Sequence, residues 1–127
     1  MDGTVISDAV NIASRIESLT KTYHTPLLIS ETTYLGLSER DNYLIRRLDR
    51  VKVKGKTKYV NLFEVFSADI EKRQAGKLAT LNLFEKAVSL YQQQHFETAQ
   101  KLSQYCFSQN PLDTTAEIYI QHCQKFF

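Results

Sequence analysis

The chain has 127 residues, 43% of them hydrophobic and 24% charged, and its 16 Lys and Arg against 14 Asp and Glu leave a formal charge of +2. That balance excludes an acidic or basic disordered tail and fits one domain or two small ones, while a nucleic-acid partner would require a local basic patch. The N-terminal MDGTVISD lacks the basic and apolar regions of a secretion signal, and no stretch reaches the roughly 18 apolar residues that span a bilayer, so the chain reads as cytoplasmic with no membrane segment.

Ser7 or Asp8 predicts the N-cap of a helix running to about Tyr23. Ala9, Ile12, Ala13, Ile16, Leu19 and Tyr23 share one face at helical spacing and predict the core side, while Asn11, Ser14, Arg15, Ser18 and Thr22 fall on the other. Asn11 and Arg15, at i and i+4, point the same way. PLLIS, residues 26–30, predicts a short buried strand, and ETTYLGL, residues 31–37, a short helix or turn. YLIRRLDRVKVKG and YVNLFEVF predict two strands of an antiparallel hairpin, with clear alternation at Val51-Lys52-Val53-Lys54 and a bend at Gly55-Lys56. SADIEKRQAGK, residues 67–77, is polar and reads as a linker or as the first turn of a long connecting helix.

From residue 78 onward the spacing is helical. Leu83, Ala87, Leu90 and Tyr91 mark one helix face, and Phe96, Ala99, Leu102 and Cys106 the next. Asn110-Pro111 stops that helix, and a third, about Thr114 to Lys125, presents Ala116, Ile120 and Cys123, with Ile118 and Tyr119 widening the stripe. Two antiparallel helices plus a third form a helical-repeat unit. Cys106 and Cys123 lack the paired spacing of a zinc or redox site and read as packing residues, as do His24, His95 and His122. No metal site is expected in this chain.

Positive charge concentrates at Lys52, Lys54, Lys56 and Lys58, preceded by Arg46, Arg47 and Arg50. Such a cluster attracts phosphates, and it also suits the solvated face of an edge strand that lysines protect from aggregation. Arg15 has Ser14 and Ser18 beside it rather than carboxylates, which leaves its charge available. Tyr59 and Phe63 near the lysines would suit base stacking, but the modest net charge and the lack of a groove-reading element argue against a nucleic-acid partner.

The ordered set ISDAVNIASRIESLTK, PLLISETTY and RVKVKGKTKYVNLFEVF resembles the C-terminal part of class III adenylate/guanylate cyclase catalytic domains, over residues 1–66. The resemblance implies an α+β fold, a truncated ferredoxin-like cyclase domain with an antiparallel hairpin. It implies that Asn11 holds the ribose and that Arg15 stabilises charge on the α-phosphate as the 3′-hydroxyl attacks and pyrophosphate leaves. It further implies that Lys54, with Lys56 nearby, reaches the triphosphate of ATP. Thr4, seven residues before Asn11, matches a purine-choosing position. A Thr there resembles the prokaryotic adenylate cyclase type and implies adenine, whereas without the motif Thr4 reads as a solvent-facing strand residue.

In that family two aspartates upstream of this helix hold Mg²⁺ or Mn²⁺, and a second cyclase domain completes the site, as a homodimer. Asp2 and Asp8 do not sit in those motifs, so the ligands are absent from this chain, which reads as a fragment of a signalling enzyme that is inactive alone. The opening Met resembles an internal methionine of a longer cyclase. Residues 78–127 resemble a tetratricopeptide repeat through Ala87, Phe96, Ala99, Cys106 and Pro111, which implies a docking surface for a protein partner or a helical cap. The organisation expected is therefore residues 1–66 as cyclase, 67–77 as linker and 78–127 as repeat-like helices. The alternative is a non-enzymatic interaction module whose helical half does the binding.

Overall fold

The computed structural model describes the backbone of residues 3–52 and 59–126 and the side chains of 12–52 and 59–126. Two compact units divide the chain, Met1–Val65 and Phe66–Phe127. Among the described residues the chain forms six α-helices and a three-stranded antiparallel sheet.

In the first unit, helix α1 spans Gly3–Thr22, strand β1 Leu28–Ser30, helix α2 Glu31–Gly36, strand β2 Ile45–Lys52 and strand β3 Tyr59–Val65. The helix start differs from the sequence reading, since α1 already runs at Gly3 and Ser7 and Asp8 lie inside it. A polar cap contributes about 1 kcal/mol and does not forbid a helix from continuing past it. Thr4 accordingly lies in a helix rather than in a strand.

Helix α1 ends in a Schellman turn. His24 adopts a left-handed φ of 51°, the Thr25 amide donates to the Thr20 carbonyl at 3.0 Å, and the His24 amide donates to that of Lys21 at 3.4 Å. Helix α2 is capped by Ser30, whose hydroxyl accepts from the Thr33 amide at 3.2 Å.

The sheet order is β1-β3-β2. Leu28 to Ser30 pair with Glu64 to Leu62, and Ile45 to Lys52 pair with Val65 to Tyr59, with a bulge between Arg47 and Asp49. The bulge changes which residues share a face, so Leu48 and Val51, an odd distance apart, are both buried. On β3, Leu62 and Glu64 are buried together, while Phe63 points the other way and stacks on Tyr34 of α2 at 4.0 Å between ring centroids. Residues 53–58, where the sequence places the hairpin bend, lie outside the described residues.

In the second unit, helix α3 spans Glu71–Ala79, α4 Leu81–Gln92, α5 Phe96–Gln109 and α6 Thr114–Gln124. The polar stretch 67–77 therefore enters a helix at Glu71. Lys77 is buried, pairs with Asp69 at 2.6 Å and lies 5.5 Å from the centre of the Phe66 ring. Helix α4 ends in a second Schellman turn around Gln94, φ 67°, where the His95 amide donates to the Leu90 carbonyl at 2.9 Å. Asp113 caps α6, accepting from the Ala116 amide at 3.4 Å.

Ala87, Ala99, Cys106, Ala116 and Cys123 are buried as expected, and the rest of the buried stripe is shifted from the expected one. Phe84, Ala87 and Val88 are buried on α4, Ala99, Gln100, Ser103 and Cys106 on α5, and Thr115, Ala116, Tyr119 and Cys123 on α6. Leu83, Leu90, Leu102 and Ile120 are only half-buried. Helix α4 has apolar residues at 83, 84, 87, 88, 90 and 91, and an apolar arc that wide does not select its own centre, so the neighbouring helices do.

Candidate functional site

The candidate residues sit on two features of the first unit. Thr4, Asn11 and Arg15 belong to α1, and Lys54 and Lys56 fall in the segment after β2. The side chains of Thr4 and Asn11, and the whole of Lys54 and Lys56, lie outside the described residues. Arg15 is described: it is exposed, one helical turn past Asn11, and among the described residues no carboxylate pairs with it.

The opposite face of α1 fixes the helix to the sheet, strongly at one end. Leu19 and Tyr23 are buried, whereas Ile12 and Ile16 are half-buried and Ala13 is exposed. Between α1 and the β1-α2 segment lies an open cleft of about 410 Å³, lined by Ile12, Ile16, Leu28, Ile29, Thr32 and Thr33 among others. At the buried end, the Tyr23 hydroxyl donates to Asp49 Oδ2 at 2.9 Å, and Asp49 Oδ1 accepts the Arg50 amide at 2.7 Å.

The basic cluster read from the sequence divides on inspection. Arg46 is fully buried and its Nε donates to Glu64 Oε1 at 2.6 Å, so it belongs to the sheet interior and not to a phosphate-attracting surface. The cause is register, because Arg46 and Glu64 are Cα partners across β2 and β3 on the face turned inward. Arg50 lies over the Tyr59 ring at 4.4 Å, and Lys52 is exposed. One face of Phe63 is covered by Tyr34, which Arg40 approaches at 4.9 Å; that ring face is not open to a nucleic-acid base.

No cluster of three or more His, Cys, Asp or Glu side chains among the described residues is arranged to hold a metal ion. Cys106 and Cys123 are buried free thiols, and burial pushes the Cys123 thiol up to about 11. No described helix is long and apolar enough to cross a membrane.

The sequence reading missed two contacts. Tyr23 was legible as core but not its bond to Asp49. The signal available was an acidic residue within an apolar-alternating strand, which calls for a partner when that strand is paired on its inner face. For the Arg46–Glu64 pair, neither residue stands out until the two strands are registered.

No family model matches the chain, and no solved structure matches it. Among curated proteins, it is 36% identical over 124 residues to the terminal-differentiation specific adenylate cyclase of Dictyostelium discoideum, across 97% of this chain and 6% of that protein. It is 48% identical over 66 residues to an adenylate cyclase of Anabaena cylindrica, across 51% of this chain and 13% of that protein. The chain thus spans only 6% and 13% of the lengths of these relatives. These matches support a relationship to adenylate cyclases.

Proposed function

We propose that the chain is a fragment of an adenylate cyclase of class III, converting ATP to cyclic AMP and pyrophosphate, and that its first unit is the later part of the ferredoxin-like catalytic domain. The observation that carries this reading is the 48% identity over 66 residues to the Anabaena cylindrica adenylate cyclase. Asn11 orients the ribose. The 3′-hydroxyl oxygen attacks the α-phosphorus and gives up its proton to water, the bond from that phosphorus to the bridging oxygen breaks, and pyrophosphate leaves. Arg15 meets the charge that develops on the α-phosphate oxygens. A guanidinium fixed on a helix does this without reorganising, an effect worth about 3 kcal/mol per donor in such sites. Lys54, with Lys56 beside it, holds the triphosphate tail, and Thr4 contacts the adenine edge.

The Mg²⁺ or Mn²⁺ of such enzymes does not fit the described residues, which hold no suitable ligand cluster, and the steps above use this chain's side chains alone. A second cyclase domain, supplied by a homodimer of the longer protein in the cytoplasm, completes the site in this reading, and the isolated chain is inactive. The helical unit is a tetratricopeptide-like docking surface for a protein partner. Its inclusion in the Dictyostelium match, which covers 97% of the chain, supports its belonging to the same enzyme.

The test is an exchange. The matched 66-residue segment of the Anabaena cylindrica protein is replaced by that of this chain. The chimera is expected to make cyclic AMP, and Lys54→Ala to raise its KM for ATP by the equivalent of about 1–3 kcal/mol, the cost of a lost charge-assisted contact. A folded chimera without turnover, or cyclic AMP formed by the isolated chain, would contradict the reading.

A further inference from the structure

We propose that the Tyr23–Asp49 hydrogen bond sets the aim of Arg15, making Tyr23 and Asp49 positioning residues for the cyclase reaction; the inference rests on the function proposed above. The bond is 2.9 Å long and joins the end of α1 to β2 immediately after the bulge. Tyr23 is 3% exposed, and its amide extends the helical pattern by donating to the Leu19 carbonyl at 2.9 Å, so its ring moves with the helix. Asp49 is held in turn, because its other oxygen accepts the Arg50 amide at 2.7 Å. Bulges re-aim side chains in this way.

Leu19 and Tyr23 are buried at the end of α1, while Ile12, Ala13 and Ile16, the nearer described residues on that side, border the open cleft. Loss of the bond at the buried end is expected to let the helix tilt there. Arg15 lies eight residues before Tyr23, about 12 Å along the axis at 1.5 Å per residue. A tilt of about 5° there moves Arg15 by about 1 Å, a misplacement of the size that costs about 10²-fold in rate where orientation governs the chemistry.

The experiment uses the chimera described above, with ATP as substrate, and compares Tyr23→Phe, Asp49→Ala, Asp49→Asn and the Tyr23→Phe/Asp49→Ala double variant. Tyr23→Phe and Asp49→Ala are expected to lower kcat by about 10-fold or more while KM stays within about 2-fold. The double variant is expected to lose no more than Asp49→Ala alone, since Asp49 also holds the Arg50 amide and Tyr23→Phe removes only the shared contact. Asp49→Asn, whose oxygen can accept the Arg50 amide while its NH2 donates to the Tyr23 hydroxyl, retains turnover. Unchanged kcat in Tyr23→Phe, a rise in KM alone, or multiplicative losses in the double variant would overturn the proposal. Arg15→Ala separates the two levels. If it abolishes turnover and Tyr23→Phe does not, only the positioning role fails; if Arg15→Ala leaves turnover intact, the cyclase reading fails with it.

Discussion

In the unit Met1–Val65 the largest fully buried side chains include Arg46 and Glu64, paired at 2.6 Å, and polar contacts join its elements alongside the Tyr34–Phe63 stack: Tyr23 to Asp49, and Asn61 to Glu31 at 2.8 Å. In the unit Phe66–Phe127 the helices are joined by rings. Phe84 meets Tyr119 edge-on at 6.0 Å, Tyr91 meets both Tyr119 and Phe96 at 5.4 Å, and Phe96 stacks on Phe126 at 4.1 Å. Its small buried residues, Ala87, Ala99, Ala116 and Cys106, let the helices approach closely. The difference separates two ways of fixing geometry. Ring packing fixes geometry through shape and edge-to-face preference, whereas a buried ion pair and a bulge-borne carboxylate fix it through hydrogen bonds made at considerable desolvation cost. The second unit has a largely buried ion pair of its own, Lys77 with Asp69, but the ion pair and the bulge-borne carboxylate of the first lie in the unit whose helix presents Arg15.

The harshest test of the helical half removes residues 112–127, taking away α6 and with it buried Ala116, Tyr119 and Cys123. Each uncovered Å² of apolar surface costs about 25 cal/mol, so the shortened chain is expected to lose its cooperative thermal transition and to associate in sedimentation. If it stays monomeric and melts unchanged, α6 is an appendage.

In the sheet half, Glu64→Ala leaves the Arg46 guanidinium buried without its carboxylate, and denaturant melts should show a loss of about 3–5 kcal/mol. The double variant Arg46→Met/Glu64→Leu removes both charges and is expected to recover most of that loss. A Glu64→Ala protein of unchanged stability would show that the pair does not organise the sheet.

Gly76, in α3, packs against the Asn110 carboxamide at the end of α5, where an added Cβ would overlap the side chain. Alanine there gains about 1 kcal/mol of helix propensity but overpacks by about 1–3 kcal/mol, and the balance predicts a lower melting temperature. A rise would mean that Asn110 moves aside readily.

The smallest effect separates the two Schellman turns, which close their helices on a non-glycine residue at positive φ, His24 and Gln94. Gln94→Gly is expected to raise stability by up to about 1 kcal/mol, since the left-handed conformation costs a side-chain-bearing residue about that much. His24→Gly should do the same in the other unit. A lower melting temperature in either would show that the side chain makes contacts outweighing the strain.

How much of this was legible depends on the kind of signal. Helices α4 to α6 were readable from their spacing and from the Asn110-Pro111 stop, whereas α3 falls largely in the stretch read as a linker or the first turn of a connecting helix. The burial of Phe84 and Val88 rather than Leu83 and Leu90 was not readable, because the apolar arc on α4 is wider than the face it buries. The antiparallel pairing of β2 and β3 followed from alternation. The bulge after Arg47 did not, since one extra residue shifts every later side chain without leaving a mark in composition. That shift is why Leu48 and Val51 are buried together. Arg46, grouped by sequence with the surface cations, is removed from them by register with Glu64. Both Schellman turns escaped notice for want of a glycine. At the site, the i and i+4 spacing of Asn11 and Arg15 was visible from the residues, while their roles came from resemblance to a family. The Tyr23–Asp49 bond required three dimensions.

The most direct measurement of the central claim is the kcat of Arg15→Ala in the chimera with the Anabaena cylindrica protein, read as cyclic AMP formed from saturating ATP. Because the guanidinium is aimed at charge that exists only as the α-phosphate reacts, kcat is expected to fall by about 10²-fold or more with little change in KM, a loss of about 3 kcal/mol in transition-state stabilisation. A kcat equal to that of the unsubstituted chimera would contradict the account and return Arg15 to an ordinary solvated position on α1.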